Sequence, residues 1–319
     1  SSVRSNDSST NSATPVARGL NMWHVSFVYQ GVGAMSVGES QALLPESAIG
    51  RTQNVDDLLS VTPARHLAAT FDRDDAALVS GSPLPPGWQW LYFLDAPQSA
   101  VIGPDGRTVP GGFLPETGLP RRMWAGGLFQ FHQPLRLGET VNCETVITHV
   151  ALKQGRSGEL AFITTEHRVS QNGVLAVTET RNLVFREAPK PGEVSRHEEP
   201  QHKAEWRREI TPDAVLLFRF SALTFNGHRI HYDIDYCRDE EGYRGLVVHG
   251  PMLALMLLDL VEREMPGKTI SSFQYRAVSP LFTPDMFAVC GLPTGDQTAA
   301  LWIENSEGGL ATTAEVTFA

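Results

Sequence analysis

The chain has 319 residues, 41% of them hydrophobic, and carries 26 Lys and Arg against 36 Asp and Glu, a formal net charge of −10. That length suggests roughly two domains with a real core, and the acidic balance argues against binding the phosphate backbone of nucleic acid. No run of about eighteen apolar residues marks a membrane span, and Cys143, Cys237 and Cys290 are odd in number and lack CxxC spacing. A disulfide framework and a zinc knuckle are thereby unsupported, and a reducing compartment fits.

Residues 1 to about 20 are rich in Ser, Asn and Thr and read as disordered; the whole of 1–45 is taken as an N-terminal tail. A transit peptide would share the Ser content but would be richer in Arg and lack an acid such as Asp7. Met35 is a candidate native start. Glu46 to Asp75 reads as a first helical region, with Thr62 as N-cap and Pro63 at the first helical position. Residues 81–94 are dense in Gly and Pro and then carry Trp88, Trp90, Tyr92 and Phe93, a cluster expected to cover the core. A long loop follows over 101–120, with a turn signal at 103–106 (Gly-Pro-Asp-Gly). Strands are predicted at 123–131, 140–152, 160–169 and 175–185, the last two joined by a hairpin at Asn172 and Gly173. Residues 189–209 carry charges, Pro and Gly with few apolar side chains, and mark the boundary between a unit at 46–188 and one at 210–319.

In the second unit, residues 214–220 lead into a polar segment, and Pro251 to Glu264 reads as a helix with Pro251 in its first turn and Pro266 stopping it. Met252, Leu253, Leu255, Leu257 and Val261 make that helix apolar on nearly every side, so it must be enclosed. Further strands are predicted at 269–278, 286–292, 299–304 and 310–318. Helix followed by strands thus occurs twice. A weak local echo between residues 172–176 (Asn-Gly-Val-Leu-Ala) and 307–311 (Glu-Gly-Gly-Leu-Ala) supports two copies of one unit.

Chemistry concentrates between 219 and 252. The segment 219–233, Arg-Phe-Ser-Ala-Leu-Thr-Phe-Asn-Gly-His-Arg-Ile-His-Tyr-Asp, is followed by 242–252, Gly-Tyr-Arg-Gly-Leu-Val-Val-His-Gly-Pro-Met. Together they place Asn226, His228, His231, Asp233 and His249 just ahead of a helix opening at Gly250. This stretch resembles the hydratase segment of the MaoC-like (R)-specific enoyl-CoA hydratases. Its spelling is most similar to the mesaconyl-C4-CoA hydratase (3-methylfumaryl-CoA hydratase) branch, which includes mitochondrial hydroxyacyl-thioester dehydratases. The resemblance covers roughly residues 46–319. It implies an α+β double hot dog, two antiparallel sheets each wrapped around a central helix. It also implies reversible hydration of an acyl-CoA thioester, mesaconyl-C4-CoA to citramalyl-CoA, with no metal and no cofactor beyond the CoA of the substrate.

Hydration of an enoyl thioester needs a base for water, a proton for Cα and stabilisation of the enolate-like oxygen. In the resemblance His231 matches the proton-transferring His, and the Gly250 N–H at a helix start suits the oxyanion. The family usually has Asp five residues before that His; Asn226 stands here, and His228 and Arg229 fill the family's Asn and Pro positions. Asn226 holds water but takes no proton as a carboxylate does, which leaves His228, Asp233 or the other half to replace it. Asp233 has the alternative role of locking local backbone or the His ring, and His249 that of lining the pocket. Arg121 and Arg122 are candidates for a substrate carboxylate, with Arg229 a rival and CoA phosphates or plain solvation as alternatives. Lys153 and Arg156 are candidates for CoA phosphates, beside a plain hairpin. Other readings left open are an acyl-carrier-protein dehydratase, a thioesterase and a non-catalytic acyl-CoA-binding protein. A homodimer is expected, in the cytoplasm or, alternatively, the mitochondrial matrix.

Overall fold

A helix with no polar side has to be wrapped, and the strands around residues 250–264 supply the wrapping. The computed structural model describes residues 46–109, 112–155, 158–187 and 197–319. The tail at 1–45 with Met35, the candidate Arg156 and the first part of the 189–209 boundary lie outside the described residues. In chain order the elements are β1 (Thr52–Leu58), α1 (Val61–Thr70), β2 (Arg121–Phe131), β3 (Thr140–Gly155), β4 (Gly158–Gln171) and β5 (Val174–Arg186). Then come β6 (Trp206–Ile210), α2 (Ala214–Leu223), α3 (Ile234–Asp239), α4 (Gly250–Glu264), β7 (Ile270–Ala277), β8 (Phe287–Gly295), β9 (Thr298–Glu304) and β10 (Leu310–Phe318).

The strands form one antiparallel sheet in the order β1-β3-β4-β5-β2-β7-β10-β9-β8-β6. Read inward from each outer edge, the two halves have the same connectivity: first strand outermost, second strand at the middle, the rest between. The halves join where β2 pairs with β7, from Gly126 opposite Arg276 to Gln130 opposite Ser272. Each half places its helical insertion between its first and second strands. In the second half that insertion holds α2, α3 and α4; in the first it holds α1 and a long loop. This is the double hot dog, with its two sheets fused edge to edge.

Every residue of α4 from Met252 to Val261 is buried. Asp259 sits in that run with no side-chain exposure, and three guanidiniums converge on it: Arg73 at 3.2 Å, Arg208 at 3.0 Å and Arg263 at 2.8 Å. Arg208 and Arg263 also donate to the Phe71 carbonyl. One carboxylate therefore ties the end of α1, strand β6 and α4 together. Trp88, Trp90 and Tyr92 are buried in the same core, as the aromatic cluster suggested.

Two sequence expectations need correction. Residues 46–75 are not one helical region: Thr52–Leu58 is strand β1, paired with β3, and α1 begins at Val61 behind Ser60 rather than behind Thr62. Part of the 189–209 boundary, Trp206–Ile210, is strand β6, paired with β8. Both are edge strands whose residues are half or fully exposed. An edge strand keeps charged residues because one face and one flank meet water, so neither shows an apolar run. No helix among the described residues is long and apolar enough to cross a membrane.

Leu257 is fully buried in α4. Leu257→Ala is expected to lower the unfolding free energy by about 2–5 kcal/mol, through lost transfer energy and a cavity. Urea unfolding followed by tryptophan fluorescence reads that change.

Candidate active site

Local sequence builds the site in small steps. Asp213 caps α2 by accepting from the Leu216 N–H at 2.8 Å. After α2, Phe225 takes a left-handed φ of 48°, and Asn226 Oδ1 then accepts from the His228 N–H at 3.0 Å. This turn presents His228 and the short helical turn Arg229–His231. Asp233 ends the segment, accepting from the Tyr236 N–H at 3.0 Å to cap α3 and pairing with Arg229 at 2.7 Å.

The segment before α4 fixes the imidazole of His231. The Val247 N–H donates to the Ile230 carbonyl at 2.9 Å, and the Val247 carbonyl lies 2.7 Å from His231 Nδ1. A carbonyl only accepts, so Nδ1 carries the proton and Nε2 holds the free lone pair. His249 stacks on His231, with ring centroids 3.6 Å apart and 18° between planes. His249 Nε2 meets Ser221 Oγ at 2.9 Å. His228 stands edge-on to His231 at 5.6 Å. His228 Nε2 and His249 Nδ1 are buried without a hydrogen-bond partner. Burial disfavours the charged form of all three rings. It pushes His231 down to about 4, with the Val247 hydrogen bond opposing and Arg107 adding to the shift. His228 falls to about 3 through burial, Arg107 and His231, and burial drives His249 well below the usual imidazole range.

The start of α4 closes one side. Its N-cap, His249, makes no side-chain cap bond. First-turn amides have no carbonyl one turn earlier to bind, and Pro251 has no N–H. The flank of Gly250 faces Trp124: a Cβ built on Gly250 would come no nearer than 4.0 Å to Trp124 Cβ.

The other walls come from the first half. The loop 101–109 lies on the motif: the Arg229 N–H donates to the Asp105 carbonyl at 2.9 Å, and Arg229 Nη1 donates to the Pro104 carbonyl at 3.0 Å. Gly106 has φ +82°, and a Cβ there would sit 1.9 Å from the Gly227 carbonyl oxygen, so only glycine fits this approach. Asp105 holds the Arg107 guanidinium at 2.6 Å, and its charge also faces His228. Behind Trp124, Arg181 lies 4.8 Å over the indole ring. Arg181 pairs with buried Glu179 through Nε at 2.8 Å and Nη2 at 3.0 Å. Trp90 Nε1 also donates to Glu179, and Trp124 Nε1 to the Tyr275 hydroxyl at 2.7 Å. Burial opposes ionisation of Glu179, but Arg181 outweighs it and holds the carboxyl below its usual range.

The structure gathers Asn226, His228, His231, His249 and Gly250 into one place and uses several other candidates elsewhere. Arg121 is bound to Glu241 at 2.7 Å and to the Tyr243 hydroxyl at 3.1 Å, which holds it at the corner after α3. Arg229 and Asp233 are spent on each other. Asp233 is occupied in capping α3 and pairing with Arg229, and a carboxylate whose charge faces His228 is Asp105 of the first half. Lys153 is exposed above the Phe162 ring. It lies in the same cross-sheet row as Arg121, three strand spacings or about 14 Å away. Arg122 stays solvent-accessible on β2. Sequence reading missed Arg107, Glu179 and Arg181. The signal for the last two was available: charged residues at 179 and 181 share the strand face of buried Val177 and Leu183.

Comparison with known proteins agrees with this architecture. The family described as hydroxyacyl-thioester dehydratase type 2 matches residues 87–283. The mesaconyl-C4-CoA hydratase of Chloroflexus aurantiacus is 42% identical over 84% of this chain and 95% of its own. The mitochondrial hydroxyacyl-thioester dehydratase type 2 of Schizosaccharomyces pombe is 28% identical over 78% of this chain and 88% of its own. The crystal structure of a MaoC-like dehydratase from Phytophthora capsici superposes with a TM-score of 0.58 at 14% identity, covering 86% of this chain and 96% of that one.

The neutral imidazoles make stability depend on pH. In the unfolded chain each titrates at about 6.5, while His228, His231 and His249 are depressed in the fold. Below that pH the unfolded state binds more protons, so their contribution is full above it and is lost as pH falls toward 4. Urea midpoints should drop steadily from pH 7 to 4.5. His249→Phe should flatten the slope by up to about 1.4 kcal/mol per pH unit.

Proposed function

Because the chain belongs to the hydroxyacyl-thioester dehydratase type 2 family, we propose that it adds water reversibly across the double bond of an enoyl-CoA thioester, with mesaconyl-C4-CoA as substrate and citramalyl-CoA as product. The observation that carries the reading is His231, its Nδ1–H tied to Val247 and its Nε2 lone pair free, next to a helix start with unbonded amides. In the forward direction the water oxygen bonds to Cβ while His231 Nε2 takes one of its protons. The π electrons move toward the thioester, and the charge on its oxygen is met by the Gly250 N–H and the positive end of α4. His231 then returns the proton to Cα and the carbonyl re-forms. One water has been added, and the enzyme is unchanged.

On this reading His228 Nε2 and the Asn226 amide hold the attacking water. Neither needs to be charged: a hydrogen bond orients water, and one imidazole moves the proton both ways. Stacking of His249 on His231 excludes solvent from the ring face and fixes its plane. The low intrinsic basicity of His231 is matched to a site where burial penalises the imidazolium until negative charge develops on the substrate. The same reading takes the protein as a homodimer in a reducing compartment, cytoplasmic or mitochondrial, where its three buried thiols stay free. Light scattering on the purified chain tests the dimer.

The test is loss of the conjugated enoyl-thioester absorbance on mixing with mesaconyl-C4-CoA, with free thiol followed in parallel. Fast loss without thiol is expected, and His231→Ala should lower kcat/KM by about 10²–10⁴-fold. Thiol release, or full activity in the variant, would overturn the reading. The pH profile is a second check: kcat/KM should hold across neutral pH and fall as pH drops through about 4, where Nε2 becomes protonated.

A further inference from the structure

We propose that Arg107 and Arg122 form a clamp for a free carboxylate carried by the acyl group on Cβ, the carbon that water attacks. The inference rests on the hydratase reading and names the group that sets its substrate class.

Position comes first. Arg122 and Trp124 are two residues apart on β2, so their side chains leave the same face about 7 Å apart. Trp124 abuts Gly250. On that reading, a thioester oxygen at the Gly250 amide leaves an acyl group with a four-carbon main chain, whose two carboxyl carbons are about 4 Å apart, within reach of Arg122 along the strand. Arg107 approaches the same strand from the loop, with Nη2 3.4 Å from the carbonyl of Pro120, two residues before Arg122.

Charge comes second. Asp105 binds Arg107 through Nε and Nη2, while Arg122 pairs with Phe185 only along the strand ladder and its guanidinium has no hydrogen bond or ion pair to a described side chain. Arg181, the next guanidinium along, is matched by Glu179. One carboxylate thus serves two guanidiniums beside three neutral imidazoles, which leaves one positive charge in excess at the solvent-facing rim formed by β2 and the 101–109 loop. Arg122 keeps contact with solvent yet is crowded by protein and by Arg107, and both effects disfavour its charge. An anionic ligand group relieves that strain, and the planar forks of Arg suit a carboxylate.

Chemistry comes third. A carboxylate on Cβ makes that carbon a poorer target for an oxygen nucleophile, and ion pairing offsets this. An acyl group lacking the carboxylate leaves both guanidiniums unanswered, so the clamp also rejects neutral enoyl thioesters.

The anion has a rival source in the CoA phosphates, so the test uses N-acetylcysteamine thioesters, which carry none. Hydration of the mesaconyl-C4 thioester is compared with that of the 3-methylcrotonyl thioester, where methyl replaces carboxylate. In Arg122→Gln and Arg107→Gln the preference for the carboxylate compound should fall by about 100-fold or more, and Arg122→Lys should restore part of it. An undiminished preference, with both compounds losing rate in parallel, overturns the clamp in favour of a structural role. A preference that falls only with CoA thioesters overturns it in favour of phosphate contact. Binding of the saturated counterparts of both acyl groups to the wild-type protein, by calorimetry, reads the clamp without chemistry. Tighter binding of the carboxylate compound with no turnover would overturn the hydratase reading and keep the clamp; equal affinity would overturn the clamp alone.

Discussion

The structure depends on α4, a helix that needs cover on every side and has two very different ends. Its apolar run can be buried only inside a curved sheet, and the strands β6 to β10 provide it. Toward the C-terminal end, burial reaches a carboxylate, Asp259, which is tolerable only because Arg73, Arg208 and Arg263 surround it. Those arginines anchor the end of α1 and strand β6 to the helix. The N-terminal end receives no such treatment. Its cap residue is an imidazole committed to Ser221 and to stacking, and it makes no side-chain cap bond to the first amides. One helix therefore supplies both the centre of the core and the electropositive edge of the site.

The three imidazoles show how packing substitutes for an ionised pair. Serine proteases and their like orient a His with a carboxylate; here a backbone carbonyl orients it and another imidazole covers its face. That choice keeps the cluster uncharged. The only carboxylate near it, Asp105 among the described residues, is already occupied by Arg107. Burial disfavours a charge on every ring, and a charge on His228 or His231 is also disfavoured by Arg107, which makes neutrality a property of the cluster rather than of a single residue.

Much of this was legible in the sequence because it rests on strong local signals. An apolar run behind Gly250-Pro251 has no alternative to burial, and the strands of β2 to β5 and β7 to β10 are rich in residues that fit a half-buried pleat. The motif placed Asn226, His228, His231, His249 and Gly250 correctly in one neighbourhood. The misses share a cause. β1 and β6 lie at the sheet edges, where polar side chains erase the alternation that identifies a strand. Arg107 looked like part of an ordinary turn because its meaning comes from Gly106 meeting Gly227, more than a hundred residues away. Arg121 looked free because Glu241 and Tyr243, its partners, are equally distant in the chain. Long-range pairing of this kind is a property of topology, and composition does not encode it.

The repeated connectivity of the two halves has a consequence for how such a protein diversifies. On the proposed reading the proton-moving residues all come from the insertion of the second half, while the first half contributes the 101–109 loop and the β2 wall. A half with no proton to move is free to change, and on that reading it is the half that faces the acyl group. On the proposed reading, the acceptance of new acyl groups is then a matter of rewriting residues near 107 and 122, with no change to the residues that handle protons. The gene carries its tool and its gauge as separate pieces of one sheet.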